Sequence, residues 1–235
     1  MRRRLAVLAL ALLAAACGDR FPGRVDARDH EAFWLWAGVA PQPVLAKATT
    51  LYILDGEVRT GAGPAYVSLR SQAPRLTRPE VWMVVRTDDL RWREESYAAM
   101  LTRLEQWRAS NRLAGLQIDF DARTRHLGDY ALFLSDLRRR LPPGLKLSIT
   151  GLLDWSANGE PRALEQLGGT VDDIVLQTYQ SRTTIRGYED YVRKLDGLRV
   201  PFKIGLVQGG EWREPARLRR NPKFHGYVVF LLNPR

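Results

Sequence analysis

Among its 235 residues the chain has one cysteine, Cys17, and three histidines, His30, His126 and His225. A single cysteine excludes an intramolecular disulfide and any multi-cysteine metal site. The histidines follow no ligand spacing near predicted strand ends, so no metal site is expected and a two-metal phosphatase is disfavoured. No Gly-rich phosphate loop follows the first predicted strand, which argues against a doubly wound nucleotide-binding sheet. No nucleophile elbow supports Ser-His-Asp catalysis, and no cofactor is expected. The longest apolar run, Leu5–Ala16, has twelve residues, too few for an ordinary transmembrane helix. The formal charge is +10, but the basic residues are scattered and 31 of the 36 are Arg. With no accompanying motif, nucleic acid is not an expected partner.

What is present begins with Arg2–Arg4, a basic start to the short apolar run, which ends Leu13-Ala14-Ala15-Ala16-Cys17. This resembles a bacterial lipoprotein signal, with Ala14 where Leu is commoner. The resemblance implies lipidation of Cys17, removal of residues 1–16 and membrane attachment through the lipid. Gly18 after the cysteine implies sorting to the outer membrane, facing the periplasm. Without Arg2–Arg4 the remainder carries 33 basic and 26 acidic residues, +7. Residues 18–31 read as a tether and 32–235 as one domain, expected to be a monomer.

Eight strands are predicted in that domain: Ala32–Ala37, Leu51–Leu54, Val81–Val85, the stretch Gly115–Ala122, Lys146–Gly151, Asp173–Tyr179, Pro201–Val207 and Gly226–Leu231. Helical spacing lies between most of them: Tyr97–Trp107, Tyr130–Leu141, Arg162–Leu167 stopped by Gly168-Gly169, Tyr188–Leu195 and Pro215–Arg220. Pro43–Thr49 is a short helical candidate. Asp55-Gly56 reads as a turn, and residues 56–80 have no helical period. Arg138–Arg140 reads as a solvated helix end that favours the helix dipole. Eight strands joined by crossovers predict an α/β fold, a (β/α)8 TIM-like barrel irregular around its second β/α unit.

The central stretch is Gly115-Leu116-Gln117-Ile118-Asp119-Phe120-Asp121. Leu116, Ile118 and Phe120 face one way, and Gln117, Asp119 and Asp121 the other. Carboxylates two residues apart on a strand are roughly 6–7 Å apart and share one space. That costs energy unless one is protonated or both meet donors or a ligand. The alternative is that the strand ends at Asp119 and both acids are solvated caps. Polar and aromatic residues at the other strand ends, Trp36, Arg86, Thr150, Asp154, Trp155, Gln177, Tyr179 and Gln208, would meet them at one barrel mouth. Trp34 and Trp36 are either a sugar-stacking floor or core tryptophans. Acids, amides and aromatics converging on one mouth suggest a carbohydrate pocket.

Gly115–Asp121, with Leu147–Gly151, Val175–Tyr179 and Gly226–Pro234, resembles the bacterial family called domain of unknown function 3142, over roughly residues 32–234. A more distant resemblance is to family 18 glycoside hydrolases and their non-catalytic barrel relatives. Their fourth strand carries Gly-x-Asp-x-Asp-x-Glu; Gln117 stands at the first acid, Asp119 at the second and Asp121 at the final Glu. That resemblance implies Asp121 as general acid, Asp119 as orienting carboxylate and Tyr179 as a substrate holder beside Gln177. Trp36 or Trp155 would stack on sugar. The expectation is a barrel cleaving an envelope or exported polysaccharide. The alternatives are a non-catalytic glycan-binding lipoprotein and a protein-binding scaffold.

Overall fold

Eight apolar runs become eight parallel strands, and their pairing closes into a ring. The computed structural model describes residues 23–59, 65–121, 127–155 and 161–233. Residues 1–22, with the predicted signal-like stretch and Cys17, and His126 lie outside them. We label the barrel strands β1 (Ala32–Leu35), β2 (Thr50–Val58), β3 (Glu80–Thr87), β4 (Leu113–Asp119), β5 (Lys146–Leu152), β6 (Asp173–Gln177), β7 (Phe202–Val207) and β8 (Phe224–Phe230). Each pairs in parallel with its neighbours in chain order, and β1 pairs with both β2 and β8. This is the closed (β/α)8 barrel that the sequence predicts.

Most of the strands are buried on both faces, as a parallel sheet covered by helices requires, while β8 is buried only at Val228 and Val229. Inside the barrel Trp34, Tyr52, Leu54, Trp82, Val84, Val175 and Val228 pack together. Gln117, fully buried, accepts a hydrogen bond from Trp34 Nε1 at 2.6 Å and donates to Ser148 Oγ at 3.0 Å. Trp34 is therefore a core residue. Its ring fits because position 205 is glycine: a Cβ there would lie 2.7 Å from it. Trp34→Phe leaves the buried Gln117 oxygen without its donor. The expected cost is on the order of 2 kcal/mol, read as a lower urea midpoint at unchanged slope.

Outside the barrel, α1 (Glu94–Ser110) buries Tyr97, Met100, Leu104 and Trp107 on one face, and α2 (Leu127–Arg140) buries Tyr130, Phe133, Leu134 and Leu137. Of the Arg138–Arg140 run only Arg139 is solvated in the way the sequence predicts. Arg138 donates to the carbonyls of Thr170 and Leu145 and pairs with Asp172. Arg140 pairs with Glu94 and Asp136 and lies 4.1 Å from the Tyr97 ring centre. These contacts join α2 to α1, to α3 (Pro161–Thr170) and to the loop before β6. α3 runs through Gly168-Gly169 instead of stopping there. α4 (Tyr188–Val192) continues as a 3-10 turn over Arg193–Gly197, and the predicted 215–220 helix is reduced to a 3-10 turn at Leu218–Arg220.

Asp55-Gly56 is not a turn either. β2 continues through it with a register shift against β3. Asp55 is fully buried and accepts from Tyr66 Oη at 2.6 Å and Trp107 Nε1 at 2.9 Å, while Arg103 forms an ion pair with it. A buried carboxylate needs such partners. Gly56 leaves room for Tyr66, whose ring would meet a Cβ at 2.5 Å. The described part of the irregular segment, 65–79, takes the place of a barrel helix. Ser96 Oγ donates to the Ala65 carbonyl, Arg70 to the Leu54 carbonyl, and Asn111 to the Pro74 carbonyl.

Candidate active site

The carboxyl ends of the strands surround an open cleft of about 560 Å³. Trp36, Arg86, Asp119, Asp121, Gln177 and Tyr179 line it. Each stands at or just beyond a strand end, where the barrel presents side chains to its mouth. β4 ends at Asp119, and Phe120 turns away to pack on Tyr130, ring centres 5.1 Å apart. Asp121, two residues further on, is exposed. The strand thus ends where the solvated-cap alternative places it, yet only one acid is solvated.

Asp119 is 7% exposed. Its Oδ1 accepts from Thr150 Oγ1 at 2.9 Å, and Arg86 Nε stands 3.9 Å from its Oδ2. In-register pairing of Arg86 with Asp119 across β3 and β4 sets that approach. Burial pushes the Asp119 carboxyl up to about 6; the Thr150 bond and the Arg86 charge pull against it, and the nearby Asp121 charge adds to it. The Tyr179 hydroxyl is held well above its ordinary value, chiefly by burial and then by Asp119 and Asp121. It stays protonated, a hydrogen-bond donor.

One wall of the cleft is aromatic. Tyr179 stacks on Phe230 with ring centres 5.6 Å apart, and Trp36 meets Phe230 edge-on at 5.3 Å. Such faces suit the C–H surface of a sugar ring. A short hairpin, Tyr179–Gln180 paired with Thr183–Thr184, adds Gln180, Ser181 and Ile185 to the lining. Ser181 adopts a left-handed conformation, φ 54°, at its turn. Phe230 and these hairpin residues were not among the sequence-predicted positions. The continuous apolar run of the last strand contains Phe230 without marking the face it takes, and a two-residue ladder leaves no signal at all.

The remaining predicted residues go elsewhere. Thr150 lies behind Asp119 and holds it. Trp155 is 2% exposed and packs edge-on against Tyr130 in the outer core, so it does not reach the mouth. Asp154 is in the turn after β5, outside the cleft lining, and burial raises its carboxyl. Gln208 exchanges hydrogen bonds with Gln42 and accepts from the Leu232 amide at 2.9 Å, which ties loops together instead of facing a ligand. Among the described residues no three His, Cys, Asp or Glu side chains are grouped to hold a metal ion, and no helix is long and apolar enough to cross a membrane.

Solved structures with this architecture include the spore cortex-lytic enzyme SleL of Bacillus cereus, with 15% identity and a TM-score of 0.54 over 75% of this chain and 50% of that one. The chain thus spans about half the length of that enzyme. A xylanase and α-amylase inhibitor protein from Scadoxus multiflorus aligns over 85% of this chain and 92% of its own, at 11% identity and a TM-score of 0.56. The tamarind chitinase-like lectin aligns over 86% and 94%, at 9% and 0.53. At these identities the likeness is one of fold. No curated protein matches the chain. A domain of unknown function (DUF3142) matches residues 77–199, just over half of the sequence, and the chain belongs to that family.

Proposed function

We propose that the chain is a glycoside hydrolase acting on a cell-envelope or exported polysaccharide. The observation that carries this reading is the convergence of a buried, proton-holding Asp119 and an exposed Asp121 in one open cleft beside an aromatic wall. In the proposed reaction the pair carries one proton. Asp121, facing solvent, delivers it to the glycosidic oxygen as the bond to the anomeric carbon breaks. Asp119 is then the carboxylate facing the positive charge that develops there. Water adds to the anomeric carbon and returns its proton to the pair. Tyr179 and Gln177 hold the substrate, Arg86 steadies Asp119, and Trp36 stacks on a sugar.

Burial raises the Asp119 carboxyl to about 6. Above it the proton is lost, so turnover is expected to be greatest below about pH 6 and to fall roughly tenfold per pH unit above it. The test is release of reducing ends from a panel of envelope polysaccharides across a pH series that brackets this titration on both sides. A rate that rises steadily on the alkaline side, or no release from any member, counts against the proposal.

The second reading is a non-catalytic glycan-binding protein. It is favoured by the one-methylene shortening of Asp121 relative to the glutamate of the resembled enzymes, and by the lectin among the similar folds. A scaffold with a filled mouth fits less well, because the cleft is open and Leu132 is the one large hydrophobic strongly exposed among the described residues. Attachment by lipid at Cys17 and a periplasmic, outer-membrane location belong to this proposal and rest on the signal-like sequence. Cys17→Ser should release the protein from the membrane fraction; retention there would argue against lipidation.

A further inference from the structure

A basic pocket lies at the opposite, amino-terminal end of the barrel, where the chain enters β7 and β8. It has a volume of about 630 Å³. Arg199, from the loop before β7, shares it with Arg217, Arg220 and Lys223, which precede β8. Asp196, in the 3-10 turn after α4, is the one acid in the lining. All five side chains are exposed, so a ligand in solution reaches each of them.

The two loops are held in place by their backbones and by Asn221. The Phe202 amide donates to the Lys223 carbonyl at 2.8 Å, Asn221 Nδ2 to the Leu195 carbonyl at 3.4 Å, and the Lys223 amide to Asn221 Oδ1 at 2.9 Å. Leu218, 3% exposed, pins the turn between Arg217 and Arg220. None of the four cations has an ion pair or a side-chain hydrogen bond among the described residues, with Asp196 or with any other. Elsewhere the chain matches its cations with carboxylates: Arg103 has Asp55, Arg138 has Asp172 and Lys203 has Asp173. Like charges gathered in one pocket on a fixed scaffold repel one another, and a bound anion relieves that repulsion.

The chemistry narrows the ligand. Four cations against one carboxylate leave three positive charges to match. A phosphate concentrates its charge on a compact group and accepts the guanidinium fork at two oxygens. Neighbouring phosphates therefore supply the balance within the pocket, whereas carboxylates spaced one per sugar along a glycan supply too few. No aromatic ring among the described residues lines the pocket, so a nucleobase has nothing to stack on. We propose that this pocket binds closely spaced phosphate groups, of a free diphosphate or of phospholipid headgroups, through Arg199, Arg217, Arg220 and Lys223. The site is separate from the cleft of the proposed hydrolase and does not depend on that function.

The test uses the full chain in about 0.15 M salt, where exposed charges are screened beyond roughly 8 Å. Inorganic pyrophosphate is titrated by calorimetry, and vesicles of phosphatidylglycerol are compared with vesicles of phosphatidylcholine by co-sedimentation. Saturable binding of pyrophosphate, a preference for phosphatidylglycerol, or both, is expected. Pyrophosphate alone assigns the pocket to a free phosphate ligand, and vesicles alone assign it to a membrane surface. Arg217→Gln combined with Arg220→Gln is expected to weaken whichever binding is seen by about tenfold or more, because each arginine contributes charge-assisted hydrogen bonds. Arg75→Gln combined with Arg78→Gln removes the same charge from exposed positions outside the pocket, and is expected to leave binding within about twofold of wild type. Binding of neither probe would overturn the inference. So would equal losses in the two double variants, or binding of digalacturonate as tight as that of pyrophosphate.

Discussion

Asp119→Asn is expected to raise the melting temperature at pH 8 and at the same time to remove turnover. The two effects share one cause. Burial lifts the folded-state value of Asp119 from the ordinary 3.8 to about 6. A carboxyl raised in this direction stabilises the fold most when protonated in both states, below about pH 4. That contribution is lost as pH rises through 6, and above it the fold carries a buried charge. A rise of that size corresponds to about 3 kcal/mol. Asparagine keeps an oxygen for the Thr150 hydroxyl and carries no charge, so at pH 8 it recovers up to that amount. For a chain of this size each kcal/mol moves Tm by roughly 2–4 °C. At pH 4 the two proteins should melt together. Calorimetry at both pH values checks this; a variant less stable than wild type at pH 8 contradicts it. Stability given up at a site that gains by its substitution is what a functional carboxylate leaves behind.

Asp121→Asn is expected to lower turnover by roughly 10²–10⁴-fold, the usual range for a general acid, with little change in stability. Asp121 is exposed beyond the end of β4, and surface substitutions of this kind ordinarily stay within about 0.5 kcal/mol. Asparagine matches its shape and accepts hydrogen bonds but cannot give a proton to a leaving oxygen. Substrate binding should therefore persist. Rate and urea midpoint measured on the same preparation separate the two quantities, and an unchanged rate removes Asp121 from the acid role.

The barrel is legible in the sequence because parallel strands buried on both faces leave short apolar runs at regular intervals, and all eight strands fall where those runs lie. The site is legible where polar residues interrupt them: Asp119 on β4 and Arg86 on β3 come together through register alone. Local chemistry misleads where tertiary partners overrule it. Asp55-Gly56 has the composition of a turn, but Tyr66, Arg103 and Trp107 satisfy the carboxylate and the glycine admits the Tyr66 ring. Gly168-Gly169 does not stop α3, which runs on to Thr170; a Cβ at Gly168 would press on Val200 at 3.3 Å, so the glycine lets the helix pack close there. Trp155 and Gln208 sit near strand ends like true mouth residues, but sequence position does not say that one turns outward against Tyr130 and the other is already paired with Gln42. Gln117, an amide in an apolar strand, fills the barrel centre under Trp34 and supports the mouth, with its own side chain committed to Trp34 and Ser148.

The central claim is that the carboxyl-end cleft binds a glycan and cleaves it. Equilibrium binding and product release, measured together on one envelope polysaccharide with the wild-type chain and Asp121→Asn, test it most directly. The account predicts equal binding by both proteins and cleavage by the wild type alone. Equal cleavage by both, or binding without cleavage by either, would contradict it, and the latter result would identify a glycan-binding protein.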